Sequence, residues 1–184
     1  MRHIARAFLA LTLAASFVPT AHAAELTGVD AMTSTVLQEK QSSFSGLGIR
    51  ARLHSAQLVP NVEMLPYIEW WKNTSTVQPF NIKSSRSDAT VGFDVRYMGA
   101  WRNLRPYGGA GIGMHFLRNE VEAPSLGLAH GENSLIKGGP AFFGGATYAL
   151  AGKLENFIEV KYHYVPSYSQ FKIHMGLAWN LTAK

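Results

Sequence analysis

The sequence contains no cysteine, which excludes a disulfide scaffold, a thiolate zinc site, a cysteine nucleophile and a lipid-modified N-terminal cysteine together. Charge is scarce as well. Only 16% of residues are charged while 47% are hydrophobic and 11% aromatic, and a chain of that balance buries surface rather than staying disordered. Past the first twenty residues there is no apolar run of 18, so the sequence offers no membrane-spanning helix, and any membrane insertion would have to use strands. No repeat of 20 to 50 residues and no sustained helical period occurs after residue 23. The 184 residues fit one ordinary domain.

What is present begins with an address. Arg2, His3 and Arg6 precede an apolar stretch from Ala7 to Val18, and Ala21-His22-Ala23 forms a small-x-small cleavage site. Residues 1–23 therefore read as a secretory signal peptide, too short to span a bilayer, and residues 24–184 as the mature domain. Losing Arg2 and Arg6 lowers the formal charge from +5 to +3, too small an excess to point to nucleic acid.

The mature chain is written almost throughout in period two. Val91, Phe93, Val95 and Tyr97 alternate with Thr90, Gly92, Asp94 and Arg96. Leu104, Ala110, Ile112, Met114 and Phe116 oppose Arg105, Gly109, Gly111, Gly113 and His115. Leu154, Ile158, Val160, Tyr162 and Tyr164 oppose Glu155, Glu159, Lys161 and His163, and Phe171 to Leu181 sets Ile173, Met175, Leu177 and Trp179 against Lys172, His174, Gly176 and Asn180. Segments 44–54, 62–71 and 141–150 complete seven expected strands of about ten residues, the length of a tilted transmembrane strand. The links 54–61, 99–103 and 151–153 are short, whereas 72–87 and 118–139 are long and read as loops. Short and long links fall at opposite ends, and an even strand count then requires an eighth strand over about 27–38, with Val29, Ala31, Thr33, Thr35 and Leu37 on one face.

The polar faces carry Arg50, Arg52, Glu63, Glu69, Asp94, Arg96, Arg105, Glu155, Glu159, Lys161 and Lys172. Inside a narrow barrel these eleven could pair across the lumen, with adjacent glycines making room for long side chains. The same charges on a solvated outer face would describe a periplasmic, lipocalin-like carrier of an apolar ligand. Aromatic residues favour the first arrangement: Trp70, Phe116, Tyr162, Tyr164 and Tyr168 fall at one height, and Tyr97, Tyr148 and Trp179 at the other, as in two interfacial girdles.

Two short motifs add a resemblance. The segment His174-Met175-Gly176-Leu177-Ala178-Trp179-Asn180-Leu181 resembles the terminal assembly signal of outer-membrane barrels, although Thr182-Ala183-Lys184 follow where such proteins commonly stop. Arg105-Pro106-Tyr107-Gly108-Gly109-Ala110-Gly111-Ile112-Gly113 resembles the Pro-Tyr-x-Gly-x-Gly-x-Gly strand of small porin-like barrels. Over the mature chain the sequence is similar to the OmpA/OmpX-like family. The resemblance implies an all-β, eight-stranded antiparallel up-and-down barrel in the bacterial outer membrane, monomeric, in contact with outer-membrane lipid and lipopolysaccharide and delivered by the barrel-assembly machinery. His174, Gly176, Trp179 and Leu181 would carry the assembly signal.

Chemistry is sparse. Lipid A deacylase barrels have a similar layout with a His-x-Ser-Asn segment, but here His163 is followed by Tyr164-Val165-Pro166, and no carboxylate follows Glu159. A lipid-modifying hydrolase therefore lacks members, and no catalytic residue is expected. His115, His163 and His174 fall on polar faces without a His or Asp two positions away, so they read as hydrogen-bonded lumen fillers rather than metal ligands. No cofactor is expected. The expected role is structural or adhesive, or at most narrow permeation, with recognition on the external links.

Overall fold

The computed structural model describes residues 24–37, 43–55, 60–78, 82–123 and 128–182. The segment read as a signal peptide lies outside them. The described strands are β1 (Glu25–Leu37), β2 (Phe44–His54), β3 (Val62–Val77), β4 (Ile82–Met98), β5 (Leu104–Ala123), β6 (Leu128–Ala151), β7 (Leu154–His163) and β8 (Gln170–Asn180). They form one closed barrel in sequence order, and β8 returns to pair antiparallel with β1 from Gly28↔Asn180 to Leu37↔Phe171.

Alternation explains the strands. Along β7 every second residue from Glu155 to His163 is buried and the intervening ones are exposed, so one face of each strand looks into the lumen. The outward face is apolar on all eight strands, as Val29, Ile49, Ile68, Val95, Ile112, Phe142, Ile158 and Met175 are all exposed. Trp70, Tyr162 and Tyr164 stand outward near one rim, and Tyr97, Tyr148 and Trp179 near the other.

Four of the hairpins are held from within by a large side chain laid over a glycine directly opposite. Met32 covers Gly48 in β1–β2, Tyr67 covers Gly92 in β3–β4, Phe143 covers Gly109 and Tyr107 covers Gly145 in β5–β6, and Phe157 covers Gly176 in β7–β8. A Cβ on Gly176 would lie 2.8 Å from the Phe157 ring. The Ala31 carbonyl oxygen of the neighbouring strand would be nearer still, so glycine is required there by the close approach of both backbone and ring.

Two expectations are corrected. Segments 72–87 and 118–139 do not form loops over most of their length. They extend the strands, so that β3, β4, β5 and β6 run 16, 17, 20 and 24 residues against 10 for β7 and 11 for β2 and β8. Hairpin pairing from Lys72↔Ser87 to Val77↔Ile82 satisfies the backbone with little side-chain burial beyond Ser85, so these polar residues need no apolar face to remain in strands. The second correction concerns Tyr168, expected in the outer aromatic girdle but buried at 7% exposure. The β7–β8 link turns inward at Ser167, whose φ of 62° lies in the left-handed region, and carries Tyr168 into the mouth of the barrel.

The four long strands stand above the rim as a sheet. Pairing of β2 with β3 ends at Gly46↔Trp71, and that of β6 with β7 begins at Ala141↔His163. Among the described residues, 72–77 of β3 and 128–139 of β6 are consequently sheet edges, each paired on one side only.

Candidate functional site

The lumen is the chemically distinctive part of the molecule. At the end bearing the short turns, half-exposed Arg105 contacts one oxygen of Glu155, whose other oxygen accepts from Arg52 Nη1 at 2.8 Å. Arg52 Nε faces Asp30 Oδ1 at 2.6 Å, and Arg50 Nε donates to Asp30 Oδ2 at 2.7 Å. Arg50 Nη1 reaches across to Glu159 Oε2 at 2.8 Å. Glu159 Oε1 then meets His174 Nδ1 at 3.0 Å, His174 Nε2 faces Glu69 Oε1 at 3.3 Å, and Glu69 Oε2 accepts from Lys172 Nζ at 2.6 Å. These nine side chains form one ladder of strictly alternating sign. Carboxylates at both ring nitrogens require both to donate, so His174 carries its second proton and counts as a cation.

Geometry of this kind meets the main cost of burying charge. An isolated buried ion loses several kcal/mol of hydration, recovered only when each group has opposite charges and hydrogen bonds around it. Asp30, Glu69, Glu155 and Glu159 are each shared between two cationic side chains. Two further pairs flank the ladder: Lys161 Nζ with Asp94 Oδ2 at 2.5 Å and Arg96 Nη2 with Glu63 Oε2 at 2.6 Å. Lys161 Nζ also sits 3.8 Å from the centre of the Tyr67 ring, and the Arg96 guanidinium 4.6 Å from that of Tyr107.

Of the eleven charges singled out in the sequence, Arg50, Arg52, Glu69, Arg105, Glu155, Glu159 and Lys172 are in the ladder, while Glu63, Asp94, Arg96 and Lys161 form the two flanking pairs. Asp30 and His174, the joints that make the ladder continuous, were not among them as charges. Alternation places Asp30 on the inner face of β1, but the weak strand propensity of its neighbours hides it. The residues expected to carry an assembly signal divide by face: His174 points inward, Gly176 lies under Phe157, and Trp179 and Leu181 are exposed. Leu181 N donates to Thr27 O at 2.8 Å and extends the β8–β1 seam.

A second chain lies nearer the protruding sheet. His115 Nδ1 is 2.8 Å from Asp88 Oδ2 and 3.0 Å from Thr90 Oγ1, His115 Nε2 is 3.0 Å from His163 Nδ1, and His163 Nε2 is 3.1 Å from the Tyr67 hydroxyl. Spacing along one strand could not reveal this, because the partners come from β3, β4, β5 and β7. Both nitrogens of His163 are thus occupied, and no serine joins it. No group of three or more His, Asp or Glu is arranged to hold a metal ion among the described residues.

Both mouths are closed by apolar side chains. Leu65, Met98, Tyr107 and Phe143 cluster toward the short-turn end, and Val36, Phe44, Trp71, Leu117, Val165 and Tyr168 toward the other. Burial pushes the Tyr168 hydroxyl up from its ordinary range, keeping the phenol neutral.

This architecture has solved counterparts. Neisserial surface protein A (NspA) superposes with a TM-score of 0.60 at 15% identity, covering 87% of this chain and 100% of that one. Ail of Yersinia pestis, in complex with the heparin analogue sucrose octasulfate, gives a TM-score of 0.57 at 10% identity over 84% and 99%. The N-terminal β-barrel domain of Pseudomonas aeruginosa OprF gives 0.55 at 13% identity over 85% and 98%. The chain has the fold of the small outer-membrane barrels. No family model matches the sequence, and no curated protein matches it. At these identities the shared feature is the barrel itself, and the ladder within it is described from this chain's own residues.

Proposed function

We propose that this protein is a monomeric integral barrel of the bacterial outer membrane, closed to bulk solutes, that acts by presenting its protruding sheet outside the cell. The observation that carries this is the partition of its charges. Among the described residues no Asp, Glu, Lys or Arg points outward on the strands below the row Trp70, Ala89, Phe116 and Ile136, apart from Glu25 at the start of β1. Charge reappears one row higher, with Lys72 and Arg118. A soluble carrier would need the opposite partition, with a dry interior and ionic exterior. Outer-membrane barrels keep short turns toward the periplasm, which directs the protruding sheet outward and leaves the partners of biogenesis, the assembly machinery and lipopolysaccharide, as those of any such barrel. An eight-stranded lumen is only wide enough for side chains, and here ions and apolar caps fill it, which argues against an open pore.

Adhesion by strand addition is the mode that fits the protruding sheet. Its two unpaired edges can accept an extended peptide through backbone hydrogen bonds. Its outer-face cations are interleaved with carboxylates rather than gathered for a polyanion: Arg118 faces Glu120 at 2.8 Å and Glu132 at 3.0 Å, and Lys72 and Lys83 share one patch with Glu120 and Glu122. The inner face offers Asn73, Asn119 and Asn133 in one row with Arg86. Cells displaying the wild type are compared with cells displaying a form whose β5–β6 hairpin is cut back to the rim. Adhesion to host-surface protein is expected to disappear while the folded barrel persists on unboiled gels. Equal adhesion of the two forms would refute the role.

A further inference from the structure

Above the rim, the two hairpins of the protruding sheet differ in charge. Residues 72–77 of β3 and 82–87 of β4 carry Lys72, Lys83 and Arg86 and no carboxylate, whereas 118–123 of β5 and 128–135 of β6 carry Arg118 with Glu120, Glu122 and Glu132. Alternation from the buried Trp71, Asp88 and Leu117 sets Lys72, Lys83 and the glutamates on the outer face, and Arg86 on the inner one. The outer lysines are already answered. Lys83 stands opposite Glu122, and both lysines line one crevice with Glu120 and Glu122. On the inner face above the rim there is no carboxylate among the described residues.

Arg86 stands in the row Asn73–Arg86–Asn119–Asn133. Its Nε donates to Asn119 Oδ1 at 2.7 Å, and among the described residues neither Nη has an acceptor and no carboxylate forms an ion pair with it. Asp88, next below on β4, is taken by His115 at 2.8 Å and Gln170 Nε2 at 3.4 Å. Lys137, the other inner-face cation, gives its ammonium to Pro166 O at 3.0 Å. The row opens at Asn73 onto the β3 edge, where Lys72, Thr74, Ser75 and Thr76 are exposed. The β6 edge suits an anion less well. Its rim end is covered by the β7–β8 link through Tyr164 N on Pro140 O, its outer face carries Glu132 beside Glu120, and Arg86 lies two strands away from it but only one from β3.

We infer that the β3 edge, residues 72–77, takes an extended peptide with an acidic residue opposite Asn73, and that Arg86 selects that residue. The inference rests on the strand-addition reading above and names the edge and the chemistry of the partner. Backbone hydrogen bonds along six residues, about 20 Å of strand, hold any such peptide without regard to sequence. Selection comes from the side chain that alternation turns inward beside Asn73. Its backbone stands about 5 Å from β3 and about 10 Å from β4, a gap that a glutamate and an arginine side chain close between them. A carboxylate there meets the unengaged Nη groups in a charge-assisted hydrogen bond, with the Asn73 amide alongside. A lysine at the same place meets only a like charge.

Because the chain has no cysteine, Thr74→Cys and Ser134→Cys place single exposed thiols on the β3 and β6 edges. Each purified full-length barrel is mixed with a threonine-rich heptapeptide whose central glutamate is preceded by a cysteine activated as its thionitrobenzoate disulfide. Antiparallel addition sets that cysteine opposite position 74. Activated free cysteine supplies the reference rate, and peptides with glutamine or lysine at the centre are compared. At position 74 the glutamate peptide is expected to react about tenfold faster than the lysine peptide, and about tenfold faster than it does at position 134. Arg86→Gln, in barrels that migrate as folded, is expected to bring glutamate down to the glutamine rate, and Arg86→Lys to keep the preference. Equal rates for the glutamate and lysine peptides at position 74, both above the reference, would leave strand addition standing and overturn the selection. A preference undiminished in Arg86→Gln would overturn the role of Arg86. Rates no higher than the reference at either edge would refute strand addition itself, and the inference with it.

Discussion

Replacing Asp30 with Asn isolates the worth of one rung of the ladder. Asp30 is fully buried and holds Arg50 Nε at 2.7 Å and Arg52 Nε at 2.6 Å. The substitution keeps the shape, removes the charge, and turns an amide N–H toward one guanidinium. Breaking a buried pair from one side typically costs about 3–5 kcal/mol. Here each arginine retains a second carboxylate, Glu159 for Arg50 and Glu155 for Arg52, which directs the expectation to the lower end, about 3 kcal/mol. That is roughly a hundredfold in the folded-to-unfolded ratio. Urea unfolding of the purified barrel in lipid, followed by the shift between folded and unfolded gel bands, measures it. Adding Arg52→Met to Asp30→Asn removes the surplus cation and is expected to recover at least about 1 kcal/mol, so that the two changes are strongly non-additive. Loss of less than about 0.5 kcal/mol in the single variant, or simple additivity in the double, would refute the ladder as an energetic unit.

Further outcomes follow from the same geometry. The exposed pair Arg118–Glu132 is only a surface contact, and Glu132→Gln is expected to cost under about 1 kcal/mol in the same assay. Gly176→Ala would press on both the Ala31 carbonyl and the Phe157 ring and cost about 1–3 kcal/mol, whereas Gly108→Ala, whose Cβ meets only Phe143 O at 3.8 Å, should be neutral within about 0.5 kcal/mol. Val95→Arg, outward in the apolar belt, is expected to cost about 2–4 kcal/mol and to deplete the protein from the outer-membrane fraction, and unchanged recovery there would contradict a lipid-facing position. In planar bilayers the wild type is expected to show no stable large-conductance state at neutral pH, and a persistent open pore would contradict the filled lumen.

The barrel is legible in the sequence because period two survives wherever one face meets an apolar surface. It is plainest in β7 and β8, where nearly every inner residue is charged, aromatic or a glycine facing a ring. Legibility fails where strands leave that surface. From Lys72 to Val77 and from Arg118 onward both faces are polar, and only backbone pairing defines the strand. The partners within the lumen are hidden for a different reason. Glu155, Glu159, Lys161 and His163 of β7 reach to β5 and β2, to β2 and β8, to β4, and to β3 and β5 respectively, pairings set by barrel closure rather than by spacing. Tyr168 was misplaced because its height along the chain is right for a girdle, but the turn at Ser167 reverses its direction.

The central claim is that the apolar face meets lipid and the ionic face is enclosed. Nitroxide labels placed one at a time at position 91 and at positions 93 to 97 of β4 in the reconstituted, cysteine-free protein test it most directly. Collision with lipid-dissolved oxygen is expected to be high at 91, 93, 95 and 97 and low at 94 and 96, with a water-soluble nickel probe excluded from the outward set. If the nickel probe instead reached 91, 93 and 95 while oxygen did not, the outer face would be in water, and the membrane assignment would be wrong.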